Sequence, residues 1–253
     1  MIYIKTQKEI DFIIESCRIV AETLRLLKSN VSVGITTIEL DRIAEDYIRS
    51  NNASPAFKGY SQGGLPGFPG SVCTSVNDAV VHGIPAKVSL EDGDIISLDV
   101  GVLKNNYYGD AATTVAVGKI SEEKRKLLEV TEKSLYLGIE QAKSGNRVHD
   151  ISAAVQDYVE QNGFSVVRDL CGHGVGKFLH EDPAVPNFGR KGTGPKLKKG
   201  MTIAIEPMVN AGGYEVMSAS DGWTVQTVDG SPSAHFEHTI LILDNSPEIL
   251  TVC

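Results

Sequence analysis

Hydrophobic and polar positions along this chain fall into two periods, and the periods arrive in blocks. From Ile10 onward Ile13, Ile14, Cys17, Val20, Ala21 and Leu24 recur at helical spacing, with Thr6 and Glu9 forming a capping box ahead of them. A long first helix is predicted, ending near Asn30. Thr36 with Glu39 repeats the start signal, and Ile38, Leu40, Ile43, Ala44, Tyr47 and Ile48 mark a second helix that stops around Asn51 and Asn52. From Ser54 to Gly70 the chain is dense in Gly and Pro, which predicts a surface loop of the kind that carries function. Strand-like runs follow at Ser71 to Val76 and Ala79 to Ile84, and then comes a longer apolar stretch, GDIISLDVGVLKNNYYGD, from Gly93 to Asp110. After Ile120 helices are predicted again, from about Ser121 to Ser144 and from about Val148 to Gln161.

The second block of helices echoes the first. Gly34, Asp46, Tyr47, Ile48 and Asn51 correspond at one constant offset to Gly145, Asp157, Tyr158, Val159 and Asn162. Gly93 to Asp99 likewise echoes Gly200 to Glu206, and Asp110 before its strand echoes Glu237 before EHTILIL. Two copies this long are not a solenoid, whose repeats are far shorter. They predict one domain over residues 1–253 made of two half-repeats, about 1–118 and 119–253. The segregated order of helices and strands points to α+β, with helices covering one face of a single curved antiparallel sheet.

Within the Gly93–Asp110 stretch two acids interrupt apolar, strand-like sequence. Asn105 and Asn106 beside Lys104 supply residues for a tight turn, and a turn centred between Lys104 and Asn105 would put Asp99 directly opposite Asp110. Like charges so placed are destabilising unless a proton or a cation lies between them. An acid in an apolar run can also simply cap a turn, so each Asp alone carries little weight. The half-repeat changes that balance, because Glu206 and Glu237 stand where Asp99 and Asp110 stand, each at an apolar strand. If a pseudo-twofold axis relates the halves, the four carboxylates converge on it, and only bound cations make such a concentration tolerable. His173, set between Gly172 and Gly174, adds an imidazole. Four carboxylates and one imidazole make a hard, oxygen-rich shell that suits Mn²⁺, Fe²⁺ or Co²⁺, with Zn²⁺ also accommodated. Two such ions can lower the pKa of a shared water and polarise a carbonyl, the logic of metal-assisted hydrolysis.

Composition narrows the setting. The chain has 253 residues, 42% hydrophobic and 22% charged, enough for a sizeable core and unlike a disordered segment. Its net charge of -8 disfavours a nucleic-acid or anionic-membrane partner held by bulk electrostatics, and the basic run from Lys191 to Lys199 reads as a solvated loop. Cys17, Cys73, Cys171 and Cys253 form no Cys-x-x-Cys pair, so neither a disulfide framework nor a structural zinc site is indicated. With no signal core and no apolar run approaching a span, a cytoplasmic protein is expected.

The motifs VVHGIP at 80 to 85, GDIISLDV at 93 to 100 with Gly109 and Asp110, GHGVG at 172 to 176, HEDP at 180 to 183, IEPM at 205 to 208 and FEHTI at 236 to 240 together carry a specific resemblance. In them the chain resembles the type I methionine aminopeptidases, in their minimal bacterial form, within the pita-bread metallohydrolases. The resemblance implies a pita-bread fold of two pseudo-twofold-related halves. It also implies two divalent ions (Co, Mn, Fe or Zn) held by Asp99, Asp110, His173, Glu206 and Glu237, with Asp110 and Glu237 bridging. Glu206 would also shuttle a proton, His82 would bond the substrate near the scissile amide, and His180 would stabilise the oxyanion. By the same resemblance Tyr60, Phe68, Cys73, Leu179 and Trp223 line a methionine pocket, and a further monovalent cation sits near Asn77, Ala79 and Ser233. Two departures stand out: the loop around SQGGLPGFPG is longer than the shortest family form, and Leu179 replaces the Phe of many relatives. The implied reaction is removal of the initiator methionine from nascent chains whose second residue is small, by a monomer working in the cytoplasm and meeting its substrates at the ribosome. Two rival readings are a non-catalytic pita-bread binding module and a hydrolase of X-Pro bonds.

Overall fold

The computed structural model of the chain describes residues 1–61, 64 and 66–252. Gln62, Gly63, Leu65 and Cys253, and with them part of the SQGGLPGFPG loop, lie outside the described residues.

The first half opens with helices α1 (Gln7–Asn30) and α2 (Thr37–Ser50), each headed by the capping box read from the sequence. At Thr6 and at Thr36 the hydroxyl accepts from the backbone N–H of Glu9 or Glu39 while that Glu reaches back to the cap amide. A cap of this kind contributes about 1 kcal/mol. Strands β1 (Ser54–Pro55), β2 (Cys73–Val76), β3 (Ala79–Val81), β4 (Ile95–Lys104) and β5 (Tyr107–Ala116) follow. The second half repeats the order with α3 (Glu122–Gln141), α4 (Val148–Gln161), β6 (Ser165–Val166), β7 (Cys171–Gly174), β8 (Glu181–Pro186), β9 (Thr202–Ile205) and β10 (Met208–Asn210). It closes with β11 (Val216–Ser218), β12 (Val225–Thr227), β13 (Ser233–His235), β14 (His238–Leu241) and β15 (Glu248–Ile249).

The strands pair antiparallel in four ladders: β1-β4-β2 with β5 on β4, β13-β10-β6, β11-β12-β3, and β15-β14-β9-β7-β8. The first and last meet at a seam between the halves. There the Glu237 amide donates to the Ala112 carbonyl at 2.9 Å and the Ala112 amide returns the bond at 3.4 Å. Thr239 Oγ1 donates to the Asp110 carbonyl at 2.7 Å, and Thr114 Oγ1 to the His235 carbonyl at 2.7 Å.

Helices α1 and α2 bury Ile19, Val20, Leu24, Leu27, Leu40, Ala44 and Ile48 against Ile96, Leu98, Val100 and Val102 of β4. The equivalent cluster in the second half joins Leu127, Leu135, Ile151 and Val155 of α3 and α4 to Ile203, Ile205 and Ile240. Each such fully buried aliphatic side chain is worth roughly 1.5–3 kcal/mol in transfer free energy. Local geometry also recurs at the positions matched in the sequence. Gly34 and Gly145 adopt φ of 92° and 97°, and the Asn51 and Asn162 side chains donate to the carbonyls of Tyr47 and Tyr158 at 2.9 and 2.8 Å.

One expectation is corrected. The β4–β5 register pairs Asp99 with Ala112 and Asp110 with Gly101, so the two acids are not directly opposed. The turn is Asn105-Asn106, both in the left-handed region at φ 52° and 62°, the two-residue geometry whose twist matches the flanking strands. Lys104 belongs to the ladder, opposite Tyr107. Asp99 and Asp110 become diagonal neighbours on one face, with roughly 7–8 Å between their backbones. The two acids share a face of the hairpin without being cross-strand partners. Among the described residues no helix is long and apolar enough to cross a membrane.

Candidate metal centre and substrate cavity

The acids gather from both sides of the seam. Asp99 and Asp110 project from the interiors of β4 and β5, Glu206 stands one residue past β9, and Glu237 one residue before β14. All four line a single cavity of about 650 Å³ together with His173 of β7. Ligand atoms of Asp110, His173 and Glu237 lie within 4.8 Å of one another. His173 Nε2 is 3.4 Å from Glu206 Oε1 and 3.8 Å from Asp110 Oδ2. Its Nδ1 lies 2.9 Å from the Gly174 carbonyl, which can only accept, so the proton belongs on Nδ1 and the Nε2 lone pair faces the carboxylates.

Burial without partners makes this cluster costly in the absence of a cation. Asp99 Oδ1, Asp110 Oδ1 and Glu237 Oε1 are all buried and lack any hydrogen-bond partner. Burial pushes the Asp99 pKa up to about 7. Asp110, Glu206 and Glu237 are driven well above the usual carboxylate range, first by burial and then by neighbouring carboxylate charge, to which Asp99 contributes in all three. Burial also lowers His173, to about 3. Orphaned hard oxygens beside one neutral imidazole are the donor set of a divalent metal centre, and the residues present fit one.

Around this cluster the cavity wall holds the other residues singled out in the sequence. His82 follows β3 at φ 59°, a left-handed backbone rare for a side chain of this size. The next residue, Gly83, lets the chain press against β2: a Cβ there would stand 2.2 Å from the Thr74 carbonyl oxygen. Burial lowers the His82 pKa to about 4. The His180 ring centroid lies 4.4 Å from that of His173, and Tyr60 Oη is 2.7 Å from His180 Nδ1. Cys73 pairs with Asp99 across β2 and β4, which puts its thiol on the acid-bearing face. It packs with Phe57, Phe68 and Leu179, against Tyr60 and Trp223. Phe68 meets Trp223 edge-on at 5.5 Å, and the Trp223 indole N–H donates to the Pro66 carbonyl at 3.1 Å. The wall is therefore apolar and aromatic, with one soft sulfur beside the charged floor.

Some residues lining the cavity or standing behind its acids are not singled out by the sequence. Phe57 and Met208 were indistinguishable from core, and Phe178 from a loop residue. His235 is the more telling omission: 2% exposed, both ring nitrogens without a partner, Nε2 3.8 Å from Glu206 Oε2. Its position two residues before Glu237 was the available signal. The Lys191–Lys199 run is solvated as predicted, with its four lysines exposed and Leu197 alone buried.

Comparison with known proteins converges on one family. The description "Metallopeptidase family M24" matches residues 11–244. The methionine aminopeptidase of Clostridium perfringens (strain 13 / Type A) is 56% identical over 252 residues, covering 100% of this chain and 99% of that protein. The crystal structure of the Thermotoga maritima methionine aminopeptidase superposes with a TM-score of 0.97 at 46% identity, covering 100% of both chains. A Pyrococcus furiosus prolidase shares the fold at a TM-score of 0.79 and 24% identity, covering 99% of this chain and 65% of that one.

Proposed function

The chain belongs to metallopeptidase family M24, and from that membership we propose the roles of its residues in metal-dependent removal of N-terminal methionine. The substrates are nascent chains whose second residue is small, and the observation that carries the reading is the partnerless carboxylate cluster at the floor of a cavity of about 650 Å³ with an apolar and aromatic wall. Asp99, Asp110, His173, Glu206 and Glu237 would hold two divalent ions, of Co, Mn, Fe or Zn. When bound, the ions supply Lewis-acid polarisation of the scissile carbonyl and lower the pKa of the attacking water.

The protein's own groups do the rest. Phe68, Cys73, Leu179 and Trp223, with Tyr60, receive the unbranched methionine side chain and exclude water from it. Glu206 takes a proton from the attacking water and returns it to the departing amine. His82, kept neutral by burial, bonds the scissile amide without adding charge. With Tyr60 donating its hydroxyl proton to Nδ1, His180 keeps its own proton on Nε2 and donates it to the developing oxyanion. Free thiols at Cys17, Cys73 and Cys171 support a reducing, cytoplasmic setting, where a monomer would meet nascent peptides at the ribosome. A monovalent cation is assigned beside Asn77, Ala79 and Ser233, where the Ser233 amide donates to the Asn77 carbonyl at 2.8 Å. We read residues 1–253 as one catalytic domain whose halves are about 1–118 and 119–253.

The test is a peptide panel with metal-stripped protein reconstituted with one divalent ion at a time. Methionine release from Met-Ala- and Met-Gly-headed peptides is expected, with none from N-terminally blocked ones. Preferential cleavage of Ala-Pro heads would replace this reading with an X-Pro hydrolase.

A further inference from the structure

Lys5 and Glu181 are far apart in sequence and form an ion pair with Nζ to Oε2 of 2.7 Å, their side chains only 4% and 2% exposed. Taking two charges this far out of water is costly, and their attraction repays that cost only where the geometry is good and the remaining lone pairs are hydrogen-bonded. Glu181 uses both oxygens. While Oε2 accepts from Lys5, Oε1 accepts the backbone N–H of Phe178 at 3.1 Å, closing a turn over residues 178–181. The two residues inside that turn are Leu179 and His180, both of which line the substrate cavity. Phe178 is 58% exposed, so its own burial does not hold the turn.

The surroundings leave the brace little slack. A Cβ on Gly176 would stand 2.6 Å from Lys5 Cε and 3.0 Å from Glu181 Oε1. The Gly176 carbonyl accepts from Tyr108 N at 2.8 Å, and the backbone N–H of Lys5 is fixed to the Gly200 carbonyl at 2.8 Å. Ile2 adds a parallel bridge to Asp182.

We propose that Lys5 is a positioning residue for catalysis: its buried pair with Glu181 locks the 178–181 turn and so fixes Leu179 against the methionine side chain and His180 at the scissile carbonyl. The inference rests on the substrate roles assigned above to Leu179 and His180. A displacement of about 1 Å at such groups costs up to 10²-fold in rate.

The experiment is a kinetic cycle on the metal-loaded full chain with a Met-Ala-headed peptide. Lys5→Met is expected to lower kcat/KM by about 10- to 100-fold with metal content unchanged. In a His180→Ala background the same change should lower kcat by about 3-fold or less, against a larger kcat loss in the wild-type background, because of the two groups it positions only Leu179, which acts on KM, remains. Lys5→Met/Glu181→Gln removes both charges but leaves an oxygen for the Phe178 amide, and should recover activity to within about 3-fold of wild type. A folded Lys5→Met with wild-type kcat and KM, or losses at Lys5 and His180 that multiply in full, would overturn the proposal. If Lys5→Met fails to fold, Glu181→Gln, which keeps both acceptor oxygen and shape, enters the same cycle with the same criteria. Methionine release by wild-type protein in that assay separates failure of this inference from failure of the aminopeptidase reading.

Discussion

In the first half Asp99 and Asp110 stand well inside two ten-residue strands, whereas in the second Glu206 and Glu237 stand just beyond the ends of two four-residue strands. The long hairpin holds its acids through ladder bonds on the same strands, so a short carboxylate reaches the site from a fixed backbone. The second half lacks that length. Its acids carry one more methylene, and the backbone of Glu237 is held by borrowing Ala112 of the opposite half. Two solutions to one problem follow: short arms on a rigid hairpin, and longer arms braced across the seam.

The sharpest way to break this comparison is at Glu206, the acid assigned proton transfer. Glu206→Gln should leave circular dichroism unchanged and lower kcat by about 10²- to 10⁴-fold, the range of a general acid–base group. Wild-type turnover by that variant would remove Glu206 from the mechanism. Arm length is tested next. Asp110→Glu and Glu237→Asp each move a carboxylate by one methylene, and calorimetric titration of metal-stripped protein should show affinity weakened by about 10-fold or more. Unchanged affinity in both would mean that arm length and strand length are unrelated.

A smaller effect separates Asp99 from the histidines. Its folded pKa is raised from 3.8 to about 7, so the stability of its neutral form is complete below about pH 4 and is lost as pH rises toward 7. Asp99→Asn should therefore raise the melting temperature of metal-free protein at pH 8, the gain fading as pH falls to 4. The lowered histidines, His82, His173 and His235, oppose this trend but are common to both proteins, whereas Asp110, Glu206 and Glu237, raised in part by the Asp99 charge, are relieved in the variant and add to its gain at high pH. A pH-independent difference would contradict the burial argument. The smallest change concerns the hairpin turn: Asn106→Gly should stabilise by about 0.5–1 kcal/mol, because glycine adopts φ 62° without steric cost, and thermal melts would register it.

What the sequence made legible was local. Helix starts at Thr6, Thr36 and Ser121 were readable because each cap bonds within three residues of itself. The acids were readable because charge in apolar strand sequence is rare. The turn was misplaced by one residue because Lys104, a polar residue at a strand end, looks no different from a turn residue until its ladder partner is known. His235 and the Lys5–Glu181 pair were silent for a related reason: their meaning lies in partners remote along the chain. The two-residue strands β1, β6 and β15 carry no periodicity at all.

The amide pair between Ala112 and Glu237 has a biosynthetic consequence. Translation delivers the amino-terminal half first, and that half exposes the β4–β5 hairpin with Asp99 and Asp110 before His173, Glu206 or Glu237 exists. Until the last strands are made, the hairpin offers only half a binding site and an unpartnered edge at β5. The full set of donors therefore comes together only in a chain whose carboxy-terminal strands have closed the seam, so the completed site is itself a product of docking of the two halves.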